Sequence, residues 1–363
     1  MSEHVLQTDV APSSMEQAYP FEFSGKAGEY FKIWIVNIAL TVLTLGIFSA
    51  WAKVRTLRYF YGNTQLDGSS FDYLASPIAI LKGRLIALVF FALYWVAANF
   101  IPMLLVPVMI VFVIAFPWVI ARSMQFRARN TTYRNLRFDF GGRYGEVAKV
   151  FILWPILVPF TIGLLWPYVH YRQKRLLVAN SEFGDSGFDF GAEPKDFYQI
   201  YVIAFVMLLV IPMAIGLFGG VMSGVSAVFN QDGEAQTQTV QLVIIMMGLT
   251  MLVMMGAQYL VYVFVTTRIT NLTYSSSELA NVRLESTLSV PRMMWIYFSN
   301  TLAIIMSVGL LVPWAKVRLA RYRAENTRLY SQGGLGGFRS GVSQQSSALG
   351  EEAGDMFDVD ISI

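Results

Sequence analysis

The residues that could do chemistry in this chain are few. It has no cysteine and only two histidines, His4 and His170, which removes disulfides, thiolate metal sites and cysteine nucleophiles together. No nucleophile elbow, HExxH or P-loop pattern occurs, so an enzyme is not expected, and neither is a cofactor. What remains is cationic. Arg55 and Arg58 stand three residues apart, as do Arg318 and Arg321, and that spacing puts each pair on one helix face, suited to a phosphate-bearing lipid or solute. Lys53, Arg122, Arg172, Arg175 and Lys316 complete the candidate headgroup or phosphate contacts. Anchoring at a membrane surface explains the same residues more simply. Nucleic acid is a poor partner, because the cations are dispersed and the formal net charge is only +3.

The element that positions these cations is written three times: TLGIFSAWAKVRTLRYFYGNT at 44–64, TIGLLWPYVHYRQKRLLVANS at 161–181 and SVGLLVPWAKVRLARYRAENT at 307–327. A fourth copy, PWVIARSMQFRARNT, ends at Thr131, and a degenerate fifth lies near Arg268–Asn271, with Asn271-Leu272 in place of Asn-Thr. Aromatic triplets follow the junctions: Phe71-Asp72-Tyr73, Phe138-Asp139-Phe140 and Phe188-Asp189-Phe190. Such recurrence predicts about five units, at about 21–64, 71–131, 138–181, 188–271 and 284–327. The triplets alternate apolar and polar residues after turn-prone residues, so they read as short cytoplasmic β segments able to pair into a small sheet.

Mean hydropathy of +0.51 with 14% charged residues places the chain in a bilayer. Leu85–Ile101, Met103–Ala121, Tyr198–Val221 and Val240–Val265 are apolar and free of charge over a membrane-spanning length. The expected fold is therefore an all-α polytopic membrane protein: four full transmembrane helices plus three shorter segments in units one, three and five, seven membrane segments in all. Each short segment has basic sequence on both sides. Either it crosses once, against the positive-inside rule, or it re-enters as a hairpin broken near mid-depth. Gly46, Gly163 and Gly309 at one register, Pro155 and Pro159, and Asn37 and Asn300 seven residues upstream supply the breaks, and with them a candidate cavity. An interhelical hydrogen bond is the plainer role for both asparagines.

The AGEYFKIWIVN and LTLGIFSAWAKVRTLRYFYGNT blocks, the recurring Asn-Thr-x6-Phe pattern and the GEEAGDMFDVDISI ending resemble the YjgN family of bacterial inner-membrane proteins. The resemblance implies a multi-pass protein of a Gram-negative inner membrane and carries no catalytic or ligand residue with it. Charge puts the C-terminus, and with it the N-terminus, in the cytoplasm. A polar tail (1–20), a repeat-built membrane domain (21–330), a flexible Gly/Ser/Gln-rich linker (331–349) and an acidic end able to form a strand (350–363) make up the chain. Membrane lipids with anionic headgroups are the expected partners. Discontinuous segments suggest a transporter-like facilitator of a neutral or lipid-like solute. A structural, lipid-organising or regulatory membrane protein is the alternative.

Overall fold

Two-residue turns make the β-hairpins. Asp67-Gly68 (φ 47° and 69°) and Arg134-Asn135 (φ 50° and 63°) each put two successive residues in the left-handed region, the turn geometry that matches the twist of the flanking strands. The computed structural model describes residues 16–229, 235–280 and 282–331. Its strands are β1 (Gln17–Phe23), β2 (Thr64–Leu66), β3 (Ser69–Tyr73), β4 (Thr131–Tyr133), β5 (Leu136–Phe140), β6 (Ser181–Phe183), β7 (Ser186–Phe190), β8 (Ser277–Leu279), β9 (Val282–Ser286) and β10 (Thr327–Ser331). All ten pair antiparallel with both neighbours and close into a barrel, β1 lying between β10 and β2. Closure leaves no edge strand to template aggregation.

The aromatic triplets build this barrel. Their first members point inward: Phe71 stacks on Tyr133 and Phe138 meets Phe183 at a tilt, each with ring centroids 4.7 Å apart. With Leu66, Leu279, Val282 and Phe188 they form one packed cluster that fills the interior. The middle aspartates point out, and Asp139 pairs with Arg129 at 2.7 Å. The last members, Tyr73, Phe140 and Phe190, sit at one rim and pack against helices. Strand alternation thus lets one triplet seal two layers.

Between hairpins run α1 (Ala27–Leu43), α2 (Ser49–Gly62), α3 (Pro77–Asn99), α4 (Leu105–Asn130), α5 (Tyr144–Ala148), α6 (Trp154–Leu157), α7 (Trp166–Ala179), α8 (Pro194–Phe229), α9 (Ala235–Ser275), α10 (Val290–Met306) and α11 (Val312–Glu325). Consecutive helices pack pairwise, and α11 packs against α1, so the helices also form a ring. Every pair leaves and returns at the same barrel rim, because Phe23 lies opposite Thr64, Tyr73 opposite Thr131, Phe140 opposite Ser181, Phe190 opposite Ser277 and Ser286 opposite Thr327.

This architecture overturns the all-α, seven-segment expectation. The sequence held the strands, but only as isolated triplets; their closure into a ten-stranded barrel is a tertiary event. Among the described residues three stretches are long and apolar enough to cross a membrane: Pro77–Asn99, Pro102–Asn130 and Gly248–Ser275. The expected span at Tyr198–Val221 falls inside the 36-residue α8. Units one, three and five are not single segments but helix pairs. In unit three, Pro155 removes a backbone donor and the chain runs as a π-helical turn, Lys149–Leu153, between α5 and α6. The linker after Ser331, the acidic end and the polar tail before Glu16 lie outside the described residues.

Candidate functional site

The glycine breaks sit at the tips of the three short helix pairs, and each tip seals itself. Leu45-Gly46, Ile162-Gly163 and Val308-Gly309 all have positive φ, 51° and 93°, 52° and 83°, 51° and 89°. The glycine N–H returns to a carbonyl five residues back: Gly46 to Thr41 at 2.7 Å, Gly163 to Val158 at 3.1 Å and Gly309 to Ile304 at 2.8 Å. On the other side the Thr44, Thr161 and Ser307 hydroxyls accept the N–H of Phe48, Leu165 and Leu311 at 2.9, 3.1 and 3.0 Å. Orphan backbone groups at the break are thereby paired within the turn, as a lipid environment demands. Beside each glycine an apolar side chain projects almost wholly free of the protein: Leu45 is 95%, Ile162 94% and Val308 92% exposed. A β-branched residue in the left-handed region is strained by about 1–2 kcal/mol.

Asn37 and Asn300 lie below these tips and tie the helices of each pair. Their side-chain amides donate to the Ala52 and Ala315 carbonyls at 3.3 and 3.2 Å, the interhelical role weighed from sequence. The two then differ. Asn300 Oδ1 accepts from Arg318 at 3.0 Å, whereas Asn37 Oδ1 is buried with no partner.

The candidate cations divide by helix face. Arg318 lies 5.0 Å over Trp314, Arg122 5.9 Å over Trp118 and Arg268 5.9 Å over Phe264, each arginine four residues after its ring. Trp51 with Arg55, and Tyr168 with Arg172, repeat that spacing. All five arginines stand eight residues before a helix-to-strand junction, taking Asn63, Asn130, Asn180, Ser276 and Asn326 as the junctions. Arg318, Arg321, Arg292 and Trp314 line a cavity of about 270 Å³ bounded by α10, α11 and Ala27 at the start of α1. Three other candidates, like Arg318 with its bonds to Ser299 and Asn300, work on the protein itself. Arg58 Nε donates to the Tyr73 carbonyl at 3.0 Å, Arg321 to that of Gly25 at 2.9 Å, and Arg175 to the Tyr171 hydroxyl at 3.1 Å. Lys53 and Lys316 line a second cavity, between α1, α2 and α11.

The closing Asn-Thr pair of each copy is a helix-to-strand switch. Asn63, Asn130, Asn180 and Asn326 donate to the carbonyl four residues back at 2.7–2.9 Å. Thr64, Thr131, Ser181 and Thr327 do the same one residue later at 2.7–3.0 Å. These bonds satisfy the last helical carbonyls while the backbone turns extended. In unit four the switch is Ser276-Ser277, with Ser277 donating to Thr273 at 2.6 Å, and not Asn271-Leu272. Asn271 instead clamps the next connection, donating to the Leu288 carbonyl at 2.9 Å and accepting the Leu288 N–H at 3.0 Å. The distance from Ser277 to the following strand would have located this junction in the sequence.

His170 packs between α7 and α8, its Nδ1 2.8 Å from the Tyr201 hydroxyl. Burial, helped by Lys174, pushes its pKa down to about 4. An unfolded chain takes up this proton near 6.5 and the folded one only near 4, so stability is full above pH 6.5 and falls as the pH drops through that window. His170→Gln should flatten the loss between pH 7 and pH 5, worth up to about 2 kcal/mol, in thermal unfolding at the two values. Among the described residues no group of three or more His, Asp or Glu side chains could hold a metal ion.

Helix pairs with apolar, self-sealed tips, set on a packed barrel rim together with three helices long and apolar enough to cross a membrane, are the features of a membrane protein. The chain belongs to the family described as "Bacterial protein of unknown function (DUF898)", which matches residues 18–356. It is similar to the Inner membrane protein YjgN of Salmonella typhimurium, 24% identical over 373 residues, with 88% of this chain and 91% of that one aligned. Proteins of the same name from two Escherichia coli strains are 26% identical over 204 and 165 residues. Those alignments span less than half of each Escherichia coli protein, 46% and 40%. No solved structure matches the chain. Family and relatives make it a bacterial inner-membrane protein.

Proposed function

We propose that this protein organises anionic lipid at the cytoplasmic face of the inner membrane, as a five-unit repeat with both termini in the cytoplasm. The observation that carries this reading is the set of three tips whose apolar side chains are over 90% exposed while their backbone groups are paired. Such a tip is costly in water and favourable in lipid. Height follows from the aromatic ring. Trp51, Trp118 and Trp314 each precede their junction asparagine by twelve residues, so they mark one level. Beyond Trp118 the long α4 continues for thirteen residues, from Leu105 to Pro117, whereas Gly46 and Gly309 lie only five residues from their tryptophans. At helical rise that is about 7 Å, which makes the short pairs shallow wedges in one leaflet. The arginines stacked on the aromatic level face headgroups, at about 1 kcal/mol each.

Single cysteines at Leu45, Ile162 and Val308 in this cysteine-free chain, spin-labelled in vesicles, should collide with oxygen and be protected from a water-soluble nickel relaxant. Ser69→Cys at the opposite barrel end gives the aqueous control. Tips as accessible to nickel as Ser69 would overturn the reading. Arg→Gln at 55, 122, 172, 268 and 318 should reduce anionic lipid retained through purification stepwise. Undiminished retention in the folded fivefold variant would refute the headgroup role. A transport role is favoured by one feature, the unpartnered Asn37 oxygen beside a cavity; solute flux in proteoliposomes would support that reading instead.

A further inference from the structure

The five helix pairs that stand on the barrel rim reach unequal depths. Those of units one, three and five turn back at Gly46, Gly163 and Gly309, each five residues from the aromatic level set by Trp51, Tyr168 and Trp314. In contrast, α4 continues from Pro117 to Leu105 past Trp118, and α8 and α9 are 36 and 41 residues long. Helical rise converts these runs to about 7 Å for the tips and about 20 Å for α4. With the broken α5–α6 run counted once, ten helical segments occupy the layer next to the barrel and four the layer beyond the tips. The cross-section therefore tapers away from the barrel by six helices, roughly 500 Å² at a helix diameter of about 10 Å.

Residue choice at the tips points the same way. Leu45, Ile162 and Val308 have positive φ, a backbone that glycine and asparagine adopt at least cost and β-branched residues at most. Contacts within the protein do not offset that strain, because all three side chains are over 90% exposed. Insertion into lipid does. We propose that the protein is a one-sided wedge that reads membrane curvature, gathering where the cytoplasmic leaflet is convex. Three tips and their helices spread that leaflet, while the opposite leaflet receives only the two long pairs. A bilayer whose convex side faces the barrel relieves the mismatch, so the partner is a lipid surface with loosely packed headgroups. This wedge action rests on the membrane placement proposed above, and not on lipid charge or on the arginines.

Single tethered vesicles of mixed size, made of uncharged phosphatidylcholine and holding the full chain, test this. Ser69→Cys supplies the one thiol, and a membrane-impermeant dye marks molecules whose barrel faces outward. Their density should be at least about threefold higher in vesicles about 50 nm across than in vesicles about 400 nm across, since shallow insertion is curvature-sensitive. Molecules with the barrel inward, marked by a permeant dye after the outer thiols are blocked, should show the opposite trend. Leu45→Asp, Ile162→Asp and Val308→Asp together suit the left-handed backbone but not lipid. The triple variant should keep its near-ultraviolet dichroism and lose the dependence on vesicle size. Density independent of size in the unaltered chain, the same trend in both orientations, or an undiminished trend in the folded triple variant would overturn the wedge. If the tips are nonetheless protected from nickel, the membrane placement stands and the curvature reading alone falls; tips as accessible as Ser69 would remove both.

Discussion

Tyr133→Ala is expected to lower the unfolding free energy by about 3–5 kcal/mol. Tyr133 is 6% exposed inside the barrel. Its ring stacks on Phe71 at 4.7 Å and meets Phe183 at 6.2 Å, and its hydroxyl donates to the Leu66 carbonyl at 2.7 Å. Truncation removes the largest of the fully buried side chains of the plug, and the neighbouring residues cannot collapse into the gap because every strand is held on both sides. Tyr133→Phe keeps the ring and orphans only the Leu66 carbonyl, which should cost about 1–2 kcal/mol. Unfolding in mixed detergent micelles, followed by near-ultraviolet dichroism, measures both. A loss of 1 kcal/mol or less for the alanine variant would mean that the interior is hydrated and not packed, and would reopen the barrel as a route for solutes.

Leu329→Pro, at the seam, should be the other severe substitution. Leu329 pairs with Tyr19 on one side and Leu284 on the other, and it packs against the barrel cluster. In an open sheet a proline can hide on an edge; here β10 has neighbours on both sides, so one ladder bond must be lost. Leu329→Ala removes the side chain alone. The proline variant should fall below the alanine variant by about 3 kcal/mol, read by the same unfolding assay. Indistinguishable variants would show that β1 and β10 do not close the barrel in the folded protein. Because β10 joins the first strand to the last helix pair, the loss should also raise the rate of proteolysis within residues 17–26.

Much of the local structure was legible. The Thr-Leu-Gly, Thr-Ile-Gly and Ser-Val-Gly triplets marked the three tips, because a left-handed residue, a glycine and a capping hydroxyl are all local requirements. Asn63-Thr64 and its equivalents marked the close of each copy, and the structure makes that close the end of a helix. The Phe-Asp-Phe alternation marked strands, and Asn37 and Asn300 were placed between paired helices. Less was visible of the cations. Spacing put Arg55 with Arg58 and Arg318 with Arg321, but the structure sends Arg58 and Arg321 to backbone carbonyls and lays Arg318 over Trp314 with bonds to Ser299 and Asn300. Which polar atom an arginine meets depends on a partner fifteen residues away in one case and 296 in the other, so spacing along one helix cannot show it.

By itself the sequence determined the environment and the local signals: an apolar, charge-poor chain for a bilayer, and a turn, a switch and a triplet recurring at fixed offsets. These are set within a few residues by side-chain type and backbone preference. Only the tertiary structure decided that the triplets close into one barrel, since a strand of three residues is unstable until it has partners on both sides, and β1 finds one of its own at Ser331, at the far end of the described chain. The same closure decided that the helix pairs in units one, three and five return to the rim they left. Apolar length could not distinguish a crossing from a shallow wedge, because that difference lies in where the two ends of the pair are held.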